Sequence, residues 1–461
     1  MFNLSVAEIA TIVNGELLGD RGGARRCQRV VVDSRQVQPG DLFVALPGAR
    51  ADGHMFLREA KASGAQAVLV SRSEGLPESL AGVEVADCLE ALHLLAKSYL
   101  SHLSCRVVGI TGSVGKTTAK DFLSTLLQDH SDSVFASPAS WNSEIGLPLS
   151  ILSTPDDTKI LILEYGINAP GEMDRLVATA PPDFAWVTSI GEVHLEGLRD
   201  VAGVAREKGR LPSAVPAGGG IWFGPGVSAM CSGPWRVVPK DLNPWDEESA
   251  SRGQPGAWEV PGFLGDTVVL PFLTPHEAIL AWSSGFVAVE LGVHPSRVDG
   301  RLPSLTAPKG RMTLCDISGL VLILDDSYNS SPPSLKASLL ALSAQSGSRR
   351  RIAVLGTMQE LGAESEAWHR KIGKEICAGS VDVLVGVGLG GKWIAEEIEV
   401  GRVEVVKTKN ATSAGALLGE ILEPGDCLLL KASRSEGLEI VIDAVKEWAR
   451  VFSSPTVEGA R

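Results

Sequence analysis

A glycine-rich loop between an apolar run and a helical pattern places the tightest limit on the fold of this chain. Residues 107–110 are typical of a buried strand, and apolar residues from Phe122 to Leu127 recur on one side of a predicted helix. The loop between them consists of Thr111, Gly112, Ser113, Val114, Gly115, Lys116, Thr117 and Thr118. A strand, a glycine turn and a helix in this order predict a parallel sheet with crossover helices.

The loop has the chemistry of a phosphate-binding site. Glycines let the backbone curl so that its N–H groups face an anion, and the following helix adds partial positive charge at its N-terminus. Lys116 supplies a full positive charge for the outer phosphates, and the Thr117 hydroxyl can reach Mg²⁺. The usual pattern has a glycine where this chain has Ile110, so the loop is a variant. Gly-Lys-Thr-Thr at this place favours nucleotide binding over an ordinary strand–turn–helix connection.

Strands alternate with helical patterns along the chain, which predicts an α/β protein. We expect three domains, at residues 1–103, 104–307 and 308–461. The first reads as a small α/β module, the second as a parallel sheet that carries the glycine loop, and the third as a doubly wound sheet.

Composition excludes several classes of function. The chain has 42 Lys and Arg against 55 Asp and Glu, a net charge of −13, which argues against nucleic acid or an anionic membrane as a partner. No apolar run reaches the ~18 residues that would span a bilayer, and the N-terminus lacks the basic region of a signal peptide. The seven cysteines never form C-x-x-C, which disfavours a disulfide framework or a zinc site. We therefore expect a cytoplasmic protein without membrane insertion. We also expect a monomer.

Two polar residues follow predicted strands of the second domain. Glu164 comes directly after residues 160–163, which puts a carboxylate at the edge of the sheet where nucleotide sites are built. We interpret it as a metal ligand, although an acid after a strand is also common as a loop residue or cap. His194 follows the predicted strand at residues 185–188, and a lone histidine is more often structural than metal-binding.

With these motifs in view, the chain resembles the Mur ligases of peptidoglycan synthesis over nearly its whole length. In the first domain the resemblance rests on residues 33–35, 39–46 and 52–54. In the second it rests on residues 111–118, 144–149, 164–166, 171–173, 194–196 and 208–209. In the third it rests on residues 310–312, 325–329, 354–356, 360–362 and 431–434.

The resemblance implies a fold and a reaction. The fold is a small N-terminal α/β domain, a central P-loop ATPase-like parallel sheet and a C-terminal Rossmann-like domain. ATP would phosphorylate the carboxylate of a UDP-linked sugar peptide, and an amine would then attack the acyl phosphate. The motif that contains Tyr328 and Asn329 points to the branch that adds D-alanyl-D-alanine to UDP-N-acetylmuramoyl-tripeptide.

The resemblance also implies residue roles. Thr117 and Glu164 would hold a first Mg²⁺ and His194 a second. Lys208 would carry a CO₂-derived, metal-binding carbamate, although without the resemblance it reads as a solvated helix lysine. Further roles are implied for residues that contact the two nucleotides and the peptide substrates. The nucleotide of ATP would meet His276, Arg311 and Asp326, the uridine nucleotide would meet Ser34, Arg35, Asp52 and His54, and the other substrate contacts would be Asn142, Tyr328 and Asn329.

The chain departs from the family pattern at several asparagines. Only Asn142 remains of an Asn-x-Asn-Asn motif, and Ser189 replaces another asparagine. Leu280 stands where an asparagine normally reads the edge of adenine, and leucine can neither donate nor accept a hydrogen bond.

These departures keep alternatives open beside the leading hypothesis. One alternative is a related ligase with a different amine substrate. Another is a catalytically weak Mur-like protein that binds a nucleotide sugar. The retained Lys116, Glu164, His194 and Lys208 favour an active enzyme.

Overall fold

The structure is a computed structural model. It describes residues 2–18, 23–48, 51–128, 133–231, 233, 240–244, 256–347, 349–376, 381–399 and 401–453. The chain divides into two compact units. The first comprises Met1–Gly112, Leu127–Val187 and Arg206–Asp241, and the second comprises Ser113–Leu126, Thr188–Ala205 and Leu242–Arg461.

The strands of both units are short and mostly buried. In chain order they are β1 Leu4–Ser5, β2 Glu16–Leu18, β3 Arg26–Cys27, β4 Arg29–Val31, β5 Asp41–Val44, β6 Ala67–Val70, β7 Ala81–Glu84, β8 Arg106–Thr111, β9 Val134–Ala136, β10 Ile160–Glu164, β11 Phe184–Val187, β12 Gly220–Phe223, β13 Lys240–Asp241, β14 Trp258–Pro261, β15 Thr267–Leu270, β16 Thr313–Ile317, β17 Val321–Asp325, β18 Arg351–Leu355, β19 Val383–Val387, β20 Glu404–Thr408 and β21 Cys427–Lys431.

Helices connect most of these strands. The α-helices of the described residues are Val6–Ile12, Leu57–Ala62, Cys88–His102, Lys116–Leu127, Gly146–Leu152, Glu172–Thr179, Leu195–Leu198, Val201–Lys208, Arg210–Ser213, Pro275–Glu290, Pro295–Arg301, Pro332–Ser346, Ser365–Ile376, Gly388–Glu396, Ala411–Ile421 and Ile440–Phe452. Shorter 3₁₀ turns are Ser34–Gln36, Gly53–Phe56, Leu302–Ser304, Gly362–Glu364 and Arg434–Glu436.

The first unit contains two larger sheets. One has the strand order β2-β7-β6-β5-β4, in which only the β2–β7 pair is antiparallel. The other is fully parallel with the order β13-β12-β11-β8-β10-β9. Strand β8 lies inside this second sheet between β10 and β11. The carboxyl ends of β8 and β10 therefore meet at one edge, since Ile110 pairs with Glu164.

The second unit is built on a mixed sheet with the order β16-β17-β21-β18-β19-β20. Its edge strand β16 is antiparallel to β17, and the remaining pairs are parallel. Two apolar clusters, one of them centred on Leu324 and Leu429 and the other on Ile323 and Leu428, pack on this sheet. The alternation along β17 and β21 explains this, because successive side chains of a strand point to opposite faces.

The predicted α/β class, parallel central sheet and doubly wound third sheet are confirmed. The strands predicted at residues 107–110 and 160–163 lie within β8 and β10, and the strand predicted at 185–188 corresponds to β11, Phe184–Val187. The boundaries at residues 103 and 307 stay a prediction.

No helix among the described residues is long and apolar enough to cross a membrane. None of the six cysteines in the described ranges forms a disulfide.

Close packing against β8 makes Gly109 a sensitive position. A Cβ atom there would lie 3.0 Å from Tyr165 Cε2 and 3.2 Å from both Leu211 Cδ1 and Pro182 Cβ. By contrast, nothing lies within 4 Å of the Cβ position of Gly419, in the helix Ala411–Ile421. The same substitution therefore meets a full interior at one site and open space at the other.

We expect Gly109→Ala to lower the free energy of unfolding by about 1–3 kcal/mol, because overpacked interiors must shift. Gly419→Ala is the matched control and should raise stability by up to about 1 kcal/mol, because alanine favours the helix. Urea denaturation followed by circular dichroism measures both. Equal effects of the two substitutions would contradict this account of the packing around β8.

Candidate active site

The glycine loop leaves the end of β8 and enters the helix Lys116–Leu127. Gly112 and Gly115 have φ angles of +153° and +88°, which L side chains rarely adopt. At the start of the loop, the Thr111 hydroxyl donates to Tyr165 O at 2.7 Å, in the first unit. The loop therefore joins the end of a parallel strand to the start of a helix, the local arrangement that the sequence predicts.

Within the second unit, Ser189 fastens the loop. The N–H of Ser113 donates to Ser189 O and the N–H of Val114 donates to Ser189 Oγ, both at 2.9 Å. The Ser189 hydroxyl in turn donates to Val114 O at 3.0 Å. Two loop N–H groups thus bind Ser189 rather than facing outward for an anion, which the sequence did not indicate.

Gly115 packs directly against the helix Pro275–Glu290. A Cβ on Gly115 would lie 2.7 Å from Leu280 Cδ1 and 3.0 Å from His276 Nε2, so only glycine fits. Leu280 is 2% exposed. Burial lowers the pKa of His276 to about 4, against a smaller opposing effect of Asp326, so its imidazole is neutral at pH 7. Both residues expected near adenine therefore lie against the loop.

Arg311 reaches the residue that follows Lys116. Its Nη2 donates to Thr117 Oγ1 at 3.0 Å, and its guanidinium lies 4.3 Å from the centre of the Tyr328 ring. Arg434 lies 5.7 Å from the centre of the same ring. The predicted nucleotide contact Arg311, the predicted metal ligand Thr117 and the predicted dipeptide contact Tyr328 are thus brought together within the second unit.

Asp326 is held by a buried lysine. Lys431 Nζ lies 2.5 Å from Asp326 Oδ2 and also donates to Asn329 O at 2.8 Å. Ser338 donates to the same Asp326 oxygen at 2.7 Å. Lys431 was part of a motif but was not predicted as a site residue. Its 2% exposure and its contacts with Asp326 and Asn329 add Lys431 to the candidate site residues.

His194 pairs with a carboxylate that was not among the predicted site residues. Its Nδ1 lies 2.5 Å from Glu360 Oε2. Both residues have positive φ, +54° and +64°, a conformation that non-glycine residues adopt at some energetic cost. Metal-binding histidines commonly carry a carboxylate on the nitrogen that does not bind the metal, so this arrangement suits a ligand role through Nε2. A cavity of about 600 Å³ opens beside it, lined by residues 358–365 and by Leu195, Glu196 and Arg199.

In the first unit, Glu164 ends β10 and is fully buried. Asn142 Nδ2 donates to Glu164 Oε2 at 3.3 Å. Gly166 allows this contact, since a Cβ there would lie 2.6 Å from Asn142 Oδ1. Asn142 was predicted to bind substrate. In the structure its amide instead donates a hydrogen bond to Glu164, the predicted metal ligand.

Lys208 is the last residue of the helix Val201–Lys208 and has no exposed surface. A solvated helix lysine is therefore excluded. Cys231 lies close enough for the charge of Lys208 to influence it: burial raises the pKa of the Cys231 thiol to about 11, and Lys208 opposes this shift.

The residues predicted to hold the uridine nucleotide lie in the first unit. Ser34 is buried, whereas the Arg35 side chain is 81% exposed and pairs with Asp33. His54 is buried, its Nδ1 lies 2.7 Å from Asp52 Oδ1, and its Nε2 accepts the N–H of Ser71 at 2.9 Å. Both ring nitrogens of His54 therefore bind protein groups.

Arg72 completes this cluster and was missed by sequence reasoning, because no motif contains it. Its guanidinium binds Asp52. The backbone N–H of His54, followed by Arg72, holds the pKa of Asp52 well below its usual range. Asp52 is thus ionised and positions His54, the turn Gly53–Phe56 and Arg72 together.

Comparison with known proteins shows which family the chain is similar to. Three family models match successive parts of the chain: "Mur ligase family, catalytic domain" at residues 27–100, "Mur ligase middle domain" at 110–223 and "Mur ligase, glutamate ligase domain" at 310–434. The chain is similar to the UDP-N-acetylmuramoyl-tripeptide–D-alanyl-D-alanine ligases of Bacillus subtilis, at 32% identity, and Escherichia coli, at 31%. The alignments cover 96% and 97% of this chain and 98% and 99% of those proteins.

Solved structures lead to the same fold. The structure of MurF ligase from Thermotoga maritima in complex with ADP is 29% identical, with a TM-score of 0.75 over 92% of this chain and 99% of that one. A crystal structure of MurF from Acinetobacter baumannii, at 23% identity, has a TM-score of 0.82 over 96% of this chain and 99% of that one, which shows the shared three-domain fold. This chain belongs to the Mur ligase family.

Proposed function

We propose that this chain is an ATP-dependent, ADP-forming amide ligase that adds D-alanyl-D-alanine to UDP-N-acetylmuramoyl-tripeptide in peptidoglycan precursor synthesis. The observation that carries the proposal is the match over 96% of the chain to the B. subtilis ligase of that name. Since ATP and UDP-linked precursors are made inside the cell, we place the protein in the cytoplasm.

The chemistry needs activation, because a carboxylate is a poor electrophile. A carboxylate oxygen of the tripeptide attacks the γ-phosphorus of ATP, and the bond to the ADP oxygen breaks. The unprotonated amine of D-alanyl-D-alanine then attacks the acyl carbon. A C–N bond forms, inorganic phosphate leaves, and the amine nitrogen loses a proton. Lys116 offsets the negative charge on the outer phosphates during the first step.

We propose Thr117, Glu164, His194 and a carbamate on Lys208 as the residues that would hold Mg²⁺, which when bound neutralises phosphate charge. Their chemistry fits a hard cation, which prefers oxygen ligands. Glu164 is a fully buried carboxylate already fixed by Asn142, and His194 carries the carboxylate of Glu360 on Nδ1. A buried carboxylate requires a nearby positive charge or donors, and a metal would supply one.

The contacts of Ser189 favour an active ligase over a catalytically weak nucleotide-sugar-binding protein. That alternative rested on family asparagines that this chain lacks, one of them at position 189. Ser189 nevertheless makes three hydrogen bonds to the loop, through its carbonyl and its hydroxyl. Replacement of asparagine by serine at this position therefore leaves the loop fastened.

Phosphate release from ATP tests the function directly. We expect release only when UDP-N-acetylmuramoyl-tripeptide and D-alanyl-D-alanine are both present, with L-alanyl-L-alanine and single D-alanine as amine controls. Lys116→Ala should lower the rate by at least about 100-fold, because a charge that stabilises the phosphates in the transition state is lost. Calorimetry should find the affinity for the UDP substrate largely unchanged. Amine-independent release, or equal rates with the control amines, would contradict the proposed substrate.

Leu280 generates a prediction about base selectivity. An apolar side chain discriminates bases weakly, whereas a hydrogen-bonding amide rejects the wrong base strongly. We expect Leu280→Asn to raise the ratio of kcat/KM for ATP over GTP by about tenfold, the effect of one hydrogen bond of about 1.4 kcal/mol. Leu280→Met keeps the contact with Gly115 and should leave the ratio unchanged. If the native ratio is already high and Asn does not alter it, Leu280 does not set selectivity.

Lys208 generates a prediction about the carbamate. Lys208→Ala should lower kcat by at least about 100-fold, since a metal ligand is lost. Acetate can occupy the vacated volume and should restore part of the rate. Lys208→Met fills the same volume without a carboxylate and should not be rescued. Thermal melting checks that both variants fold, and a near wild-type kcat in either would refute the role of Lys208.

A further inference from the structure

Glu207, the residue before Lys208, ties the end of its helix to another helix. Glu207 Oε1 accepts the N–H of Gly171 at 2.8 Å and the N–H of Met173 at 3.2 Å. These N–H groups belong to the start of the helix Glu172–Thr179, which Gly171 enters with a φ of +88°. The Glu207 side chain is 5% exposed, so the two hydrogen bonds are shielded from water.

A helix N-terminus is a favourable partner for this carboxylate. The first N–H groups of a helix lack partners within it, and its dipole places partial positive charge there. Arg210 adds an ion pair from the other side, with Nε 3.2 Å from Glu207 Oε2, and also binds Asp174 on the same helix. Two hydrogen bonds and an ion pair therefore hold Glu207 in place although it is buried.

The position of Lys208 depends on this contact. Lys208 ends the helix Val201–Lys208, one residue separates it from the short helix Arg210–Ser213, and its side chain is completely buried. Consecutive residues on a helix point about 100° apart, so Glu207 and Lys208 face different surroundings. A rotation of the last turn would withdraw Lys208 from its buried place, and the hydrogen bonds of Glu207 oppose that movement.

We propose that Glu207 is a positioning residue for the ligase reaction, which acts by holding Lys208 where its amine is carbamylated. The inference rests on the proposed carbamate. In that step the unprotonated Nζ attacks the carbon of CO₂, an N–C bond forms, one C–O double bond becomes an oxyanion, and the nitrogen releases a proton. Carbamates are reversible, so any loss of Lys208 positioning shows as weaker CO₂ uptake.

Carbamate occupancy, measured by ¹³C NMR of the full-length protein in ¹³C-bicarbonate, tests this separately from activity. Glu207→Gln keeps an acceptor oxygen for both N–H groups but loses the ion pair with Arg210, so its carbamate occupancy should stay closer to that of the wild type than the occupancies of the next two variants. Glu207→Asp keeps the charge but is shorter, and Glu207→Ala has neither group. Both should need at least severalfold more bicarbonate for half-maximal occupancy and for half-maximal kcat. Asp174→Asn is the matched control, because it breaks only the exposed pair with Arg210, and its occupancy should match the wild type.

The outcomes separate the two proposals. A wild-type carbamate occupancy in Glu207→Asp would overturn the positioning role. If Glu207→Gln were impaired at the same time, the carbamate would depend on the charge of residue 207 and not on its hydrogen bonds to Gly171 and Met173. A wild-type protein without a carbamate signal that still releases phosphate would overturn both the positioning role and the carbamate, while leaving the ligase function intact. If Glu207→Ala melts at a much lower temperature, the comparison of Gln with Asp decides.

Discussion

The burial of ionisable groups in the first unit is the constraint on which the site depends. Glu164 and Lys208 are both completely removed from water. Moving an ion into a protein interior costs several kcal/mol unless donors, opposite charges or a metal compensate. The chain meets part of this cost with neutral donors and helix ends, as Asn142 does for Glu164 and the helix Glu172–Thr179 does for Glu207. The burial of Glu164 and Lys208 is therefore only partly compensated by neutral donors, as expected of the charge-binding site that we propose here.

The second unit shows how the loop tolerates its unusual sequence. Its glycines permit the backbone conformation, but its place is fixed by neighbours: Ser189 holds Ser113 and Val114, and the helix Pro275–Glu290 packs on Gly115. Ser189 and Leu280, which depart from the family pattern in the sequence, therefore both contact the loop and help to hold it. Leu280 is one example, since it forms part of the surface on which the loop rests.

Several predicted site residues contact each other in ways that couple their roles. Arg311 links Thr117 with Tyr328, and Lys431 links Asp326 with Asn329. Residues assigned to phosphate, ribose and dipeptide thus belong to shared networks, in which a change at one member alters the others. The motifs at residues 310–312, 325–329 and 431–434 therefore contact one another, which is a physical reason for finding them in the same chain.

The sequence by itself determined the α/β class, the central strands β8, β10 and β11 of the parallel six-stranded sheet, the glycine loop and the family. These follow from local properties: apolar runs, glycine conformation and short motifs act over a few residues. Tertiary structure alone decided which side chains support them. Arg72 lies 20 residues from Asp52, and Glu360 lies far along the chain from His194. Glu207 likewise meets Gly171 and Met173 across 34 to 36 residues. Hydrogen bonds and burial depend on distances in space, and no periodicity or motif in a single sequence encodes those distances.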